Sequence, residues 1–167
     1  MQATVQRFAS SLSDVGATLT TTTPGDFAST VDDVVEQPAV GVPLAYDGLS
    51  LSDTVVETPP TPRLLREAET GITPVGKAIV ASGTLLLDGD AVGTEPVSLY
   101  PPTHVAVVRE SDLISAVADA TDYLGDRLRD GESSVFATGA SSTGDMGALV
   151  EGVHGPKHVS VVLVEGR

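Results

Sequence analysis

His158-Val159-Ser160-Val161-Val162-Leu163-Val164, together with His104-Val105-Ala106-Val107-Val108-Arg109 upstream, decides how this chain folds. Each run is nearly all apolar, with no polar alternation to leave one face in water. Strands of this kind are buried on both sides, which predicts a parallel or mixed sheet covered by helices. Working outward, Gly83-Thr84-Leu85-Leu86-Leu87 reads as a strand closed by the turn Asp88-Gly89-Asp90. Ser133 to Thr138 reads as another, running straight into Gly139. Nearer the N-terminus, Ala17 to Thr22, Ala39 to Leu44 and Thr54 to Thr58 have strand character.

Helical spacing fills the intervals between these strands. Val5, Phe8, Ala9, Leu12 and Val15 recur at the period of a helix that Gly16 stops. Asp26 is expected to cap a second helix with Phe27, Val31, Val34 and Val35 on one face, ended by Pro38. Pro59-Pro60-Thr61-Pro62 is a loop leading into a helical Arg63 to Glu69. Ser111 is expected to cap the longest helix, with Leu113, Val117, Ala120, Leu124 and Leu128 as its buried stripe. A short helix is expected from Asp145 to Glu151. The pattern is one α/β domain over 1–167, with no internal repeat and no dividing linker.

Charge narrows the functional classes. Twenty-three acidic groups face nine basic ones, for a net charge of −14, and only Lys77 and Lys157 are lysines. Such self-repulsion is relieved when roughly molar salt shrinks the Debye length to about 3 Å. The composition therefore predicts a salt-adapted, halophilic protein. The same field excludes a nucleic-acid partner and an anionic membrane surface, since no basic stripe exists to meet phosphates. No apolar run approaches the roughly 18 residues of a membrane span. The opening Met1-Gln2-Ala3-Thr4-Val5-Gln6-Arg7 lacks the order of a signal peptide, so the expected location is the cytoplasm. With no cysteine, the chain has no thiolates to hold an iron–sulfur cluster. No flavin or nicotinamide fingerprint is visible either, so no cofactor of its own is expected.

Three segments have the composition of a site, one of them Gly76 to Leu87, whose Ser82-Gly83-Thr84 turn leads into a strand and faces either a ligand or close packing. Thr138-Gly139-Ala140-Ser141-Ser142-Thr143-Gly144-Asp145 follows a strand. With the expected helix next, small residues let backbone N–H groups and the hydroxyls of Ser141, Ser142 and Thr143 converge on a small anion, and the helix dipole adds favourable charge. It is neither a Walker A loop nor GxGxxG. Gly152-Val153-His154-Gly155-Pro156 is a shaped turn presenting one imidazole, the side chain best suited to proton transfer near neutral pH. Asp145 and Glu151 are near enough in sequence to orient it. The competing reading of each is purely structural, a capped turn and a histidine tying down carbonyls. His104, His154 and His158 show no known ligand spacing, so no metal is expected.

In order along the chain, four segments resemble one family. Ala81-Ser82-Gly83-Thr84-Leu85-Leu86-Leu87 is similar to the Ala-Glu-Thr-Gly-Thr-(apolar)₃ segment of LUD-domain proteins of the lactate-utilisation C type. Ser98-Leu99-Tyr100-Pro101-Pro102-Thr103-His104 resembles that family's Ser-Leu-Leu-Pro-Pro-x-His. Thr138 to Asp145 resembles its Ser-Gly-Pro-Ser-x-Thr-Ala-Asp, and Gly152 to Pro156 its Gly-Val-His-Gly-Pro. The resemblance implies a three-layer α/β/α sandwich related to the sugar-phosphate isomerase and CoA-transferase superfamily, with a mostly parallel sheet. It also implies a component of a system oxidising L-lactate to pyruvate, whose partner subunits carry the iron–sulfur clusters. On that reading His154 converges with Thr84 and Gly139 on a small anionic ligand at the C-terminal edge of the strands. Departures are visible: Ser82 stands in the Glu-Thr-Gly region, and Met146-Gly147 replaces Ile-Glu. The alternative is a stand-alone enzyme on a small phosphorylated or carboxylated substrate, like a sugar-phosphate isomerase. Asp88-Gly89-Asp90 and Thr138 to Thr143 resemble motifs of ribose-phosphate isomerases, but in the opposite order.

Overall fold

The computed structural model of the protein describes residues 2–145 and 148–166, with the backbone alone for 143–145 and 148–149. In chain order the first half contains α1 (Gln2–Asp14), β1 (Thr18–Thr22), α2 (Phe27–Val34), β2 (Ala39–Gly41), α3 (Pro62–Glu67), β3 (Thr70–Pro74), β4 (Lys77–Ile79) and β5 (Thr84–Gly89). The second half contains α4 (Thr94–Leu99), β6 (Thr103–Arg109), β7 (Leu113–Ile114), α5 (Thr121–Arg129), β8 (Ser133–Thr138), β9 (Ser142–Asp145), β10 (Ala148–Glu151) and β11 (His158–Val164).

The two apolar runs, β6 and β11, pair in parallel inside a five-stranded sheet of order β1-β11-β6-β3-β2. Every neighbouring pair in that sheet is parallel. Because side chains alternate across a strand, each run feeds two cores. Ala106, Val108, Val161 and Leu163 pack with Phe8 and Leu12 of α1. Val105, Val107, Val162 and Val164 pack with Phe27 and Val31 of α2 and with Tyr46, Leu49 and Leu51. Each fully buried Val or Leu contributes roughly 1.5–3 kcal/mol, which explains how so aromatic-poor a chain holds together. The α/β class and the mostly parallel central sheet are as the sequence predicts.

A second sheet, of order β7-β4-β5-β8, lies on the α1 side. Within it β5 runs antiparallel to both β4 and β8. Ile79 and Leu86 on its far face take Ala120, Tyr123 and Leu124 from the α5 region. Val40, Val42, Ala68 and Val97 form a smaller cluster that seats α3 and α4. Among the described residues no helix is long and apolar enough to cross a membrane.

Three local expectations are corrected. The helix expected from Ser111 begins only at α5, after 3₁₀ turns at Glu110–Asp112 and Val117–Ala120. Its first residues are diverted because Leu113 and Ile114 pair with β4 as an added edge strand. The longest helix is α1, of 13 residues, and Val117 and Leu128 are 56% and 66% exposed rather than buried. Asp26 sits at the cap position of α2 without a side-chain cap bond, since its carboxylate accepts instead from the Thr23 hydroxyl at 2.8 Å. Thr54 to Thr58 contributes a single parallel bridge, Val40 to Glu57, rather than a strand.

Candidate functional site

β8 leaves the second sheet at Thr138, and the chain turns at Gly139 with φ +67°. A Cβ there would stand 2.2 Å from the Val15 carbonyl oxygen, so the turn requires glycine on two counts. The Ser141 N–H then donates to the Pro156 carbonyl at 2.9 Å, and the Gly152 N–H to the Ser141 carbonyl at 2.8 Å. The 139–142 loop and the 152–156 turn are thus bonded side by side, as expected. Between them opens a cleft of about 200 Å³ lined by Thr138, Gly139, Ser141 and His154, with Ser98, Leu99 and His104 opposite. His154 is exposed.

Its surroundings differ from the expectation in two respects. No helix follows Gly139. β9 and β10 form an antiparallel hairpin that pairs Ser142 with Glu151 and Asp145 with Ala148. The short segment satisfies its backbone by cross-strand pairing, so no helix dipole acts on an anion here. The Ser141 N–H is also already given to Pro156. The second difference is the edge. His104 and Val159 are the second residues of β6 and β11, and the Pro102 carbonyl accepts from the Lys157 and His158 N–H groups at 2.7 and 3.2 Å. The cleft therefore lies at the N-terminal edge of the central sheet. β8 belongs to the other sheet, so its C-terminal end says nothing about the C-terminal edge of the parallel one.

Of the candidate residues, Gly139, Ser141 and His154 share the cleft wall. Thr84 is buried behind it, its hydroxyl 2.8 Å from that of Thr138 and 2.7 Å from that of Ser82. Ser142 is exposed on β9. The side chains of Thr143 and Asp145, and the whole of Met146 and Gly147, lie outside the described residues. One lining residue escaped the sequence reading. His104 is buried, with Nε2 2.8 Å from the Thr73 hydroxyl. Burial lowers its pKa from 6.5 to about 4, so it faces the cleft neutral at neutral pH. Its signal was a lone histidine entering an apolar strand two residues after Pro102. Among the described residues, no three His, Asp or Glu side chains gather as metal ligands.

A larger cleft, of about 320 Å³, opens at the C-terminal edge of the central sheet, where β3 ends at Pro74 and β6 at Arg109. Its walls carry Lys77, Asp88, Arg109, Asp112, Tyr123 and Arg127. Sequence reasoning missed it because these residues come from separate segments with no common motif. Open α/β sheets place ligands outside the carboxyl ends of their strands.

The parallel-sheet fold agrees with what comparison shows. Residues 48–164 match the LUD domain, and the chain belongs to that family. It is 31% identical over 126 residues to lactate utilization protein C of Deinococcus radiodurans, an alignment covering 74% of this chain and 59% of that protein. It is 31% identical over 106 residues to lactate utilization protein C of Bacillus subtilis, covering 60% and 44% respectively. The chain thus spans about half the length of these curated relatives. Its fold matches the crystal structure of a DUF162 family protein from Deinococcus radiodurans with a TM-score of 0.78, covering 98% of this chain and 97% of that one at 24% identity.

Proposed function

We propose that this chain serves in a lactate-utilisation system, binding a small anion and partner subunits rather than carrying redox centres itself. The observation that carries this reading is its family membership beside relatives named lactate utilization protein C. Without cysteine, the iron–sulfur clusters of such a system belong to the partners. In this reading the acid-rich surface suits the cytoplasm of a halophilic archaeon, where salt screens it.

The loop–turn cleft is the anion site of this proposal. His154 offers a proton or a hydrogen bond from the turn, and the Ser141 hydroxyl offers a second from the loop. Gly139 shapes the entrance, and Thr84 holds the wall through Thr138. Ser142, Thr143 and Asp145 belong to the hairpin above, with Asp145 at its far end opposite Ala148 rather than next to the His154 turn. Exposed Leu99, Tyr100 and Val153 rim an adjoining depression, an apolar surface on which a partner subunit would seat.

Growth of the source organism tests the proposal. Deleting the gene should abolish growth on L-lactate while leaving growth on pyruvate intact. A copy carrying His154→Ala should fail to restore it, whereas His158→Ala should succeed. Equal growth of the deletion strain on both carbon sources would overturn the reading.

A further inference from the structure

Three of the nine cationic side chains of this chain, Lys77, Arg109 and Arg127, line the cleft at the C-terminal edge of the central sheet. In a molecule of net charge −14, whose general field repels anions, these cations balance the three carboxylates that share the cleft, Asp88, Asp90 and Asp112, so the cleft is neutral where the molecule as a whole is acidic. Asp112, with a side chain only 3% exposed, holds Lys77 Nζ at 2.6 Å and Arg109 Nε at 2.5 Å. One carboxylate between two cations leaves a single positive charge on that wall. The Lys77 ammonium keeps further protons to donate. Arg109 uses only Nε for Asp112, and its guanidinium lies 4.7 Å from the centroid of the Tyr46 ring, which fixes its plane. The Tyr46 hydroxyl is in turn locked by the Val75 carbonyl at 2.6 Å.

The neighbouring wall is of the opposite kind. The Tyr123 hydroxyl donates to Asp88 at 2.5 Å from Oδ1 and 2.7 Å from Oδ2. Arg127 Nε stands 3.0 Å from Asp88 Oδ1, close enough for an ion pair though not aligned for a hydrogen bond. Lys77 Nζ is 5.8 Å from the centroid of the Tyr123 ring, so the two walls are within the span of one small molecule. A Cβ on Gly76 would come within 1.9 Å of the Tyr123 hydroxyl and 2.9 Å of Asp88 Oδ1. Only glycine at that position lets the pair reach the cleft.

We infer that this cleft is a second ligand site, one that takes a small hydroxy-carboxylate. The carboxylate lies against Lys77 and Arg109, and the hydroxyl donates to Asp88. Charge decides between the common anions. The excess at the Asp112 wall is one unit, and the Asp88 and Asp90 carboxylates nearby oppose a phosphate dianion, so a monoanion fits. A cleft of about 320 Å³ is at the small end of ligand sites. The inference rests on this cleft alone and stands whether or not the chain serves lactate use.

The two lysines make the test direct, because Lys77 lies in this cleft and exposed Lys157 adjoins the His154 turn. The wild-type protein, in about 1 M KCl, is acetylated with a limiting amine-reactive ester, and both lysines are followed by mass spectrometry. Glycerate at a few times its Kd should slow acetylation of Lys77 by roughly threefold or more, with Lys157 unchanged. Propionate, which lacks the hydroxyl, and glycerol, which lacks the carboxylate, should protect Lys77 less than half as well. Protection of Lys157 alone would place glycerate in the other cleft and overturn the inference. Absence of protection at Lys77, or equal protection by inorganic phosphate, would overturn it too.

Discussion

His104 shows how burial turns a titratable residue into a pH-dependent element of stability. Its pKa is lowered from 6.5 to about 4 by desolvation. Above pH 6.5 the ring is neutral in both folded and unfolded chains, and it contributes no pH dependence. Between 6.5 and 4 the unfolded chain binds a proton that the folded chain refuses, so stability is lost as pH falls. From pH 7 to 4.5 this residue alone should cost roughly 2–3 kcal/mol. Urea unfolding at constant salt checks it. His104→Gln should be less stable than wild type at pH 7 but lose less on acidification, and an unchanged slope would contradict the assignment. Asp88 has its carboxyl pushed upward, chiefly by burial and against the Tyr123 bond and the Arg127 charge. It thereby accepts a ligand hydroxyl less readily as acidity rises.

At the scale of elements, helical periodicity and helical burial part company in this chain. Leu12 in α1 is fully buried against the central sheet, whereas Leu128 in α5 is 66% exposed. Leu12→Ala should therefore destabilise by about 2–5 kcal/mol, through lost transfer energy and the cavity left behind. Leu128→Ala should fall within about 0.5 kcal/mol of wild type. Thermal and urea melts of the two variants measure the contrast directly, and similar losses would show that α5 is packed more deeply than described. The reason for the difference is topological. α1 covers a parallel sheet whose inner strands β6 and β11 are buried on both faces, while α5 covers only the outer side of β4 and β5 through Ala120, Tyr123 and Leu124.

At the scale of the whole molecule, net charge should govern stability more than any single ion pair does. A charge of −14 over 167 residues repels itself at low ionic strength and is screened within about 3 Å near 1 M salt. The melting temperature should rise steeply between about 0.1 and 2 M KCl. Differential scanning fluorimetry across that range checks the expectation, and a flat response would remove the halophilic reading.

Some of this was legible in the residues themselves. The nearly continuous apolar residues of His104 to Arg109 and His158 to Val164 left no face for water, so a parallel or mixed sheet covered on both sides followed from burial alone. The absence of cysteine and the excess of acid needed no coordinates. The small-residue loop after Thr138 and the turn around His154 announced themselves by composition, and they do lie side by side. Tertiary structure decided the rest. Residues 142–145 and 148–151 satisfy their backbone by cross-strand bonds, and Leu113 leaves a helical pattern to pair with β4, because hydrogen-bond partners are chosen across the chain rather than within a window. Which edge of the central sheet a loop reaches depends on the sheet its strand joins. Lys77, Asp88, Arg109, Asp112 and Arg127 meet in one cleft only because the ends of β3 and β6 come together there, a convergence that no local spacing encodes.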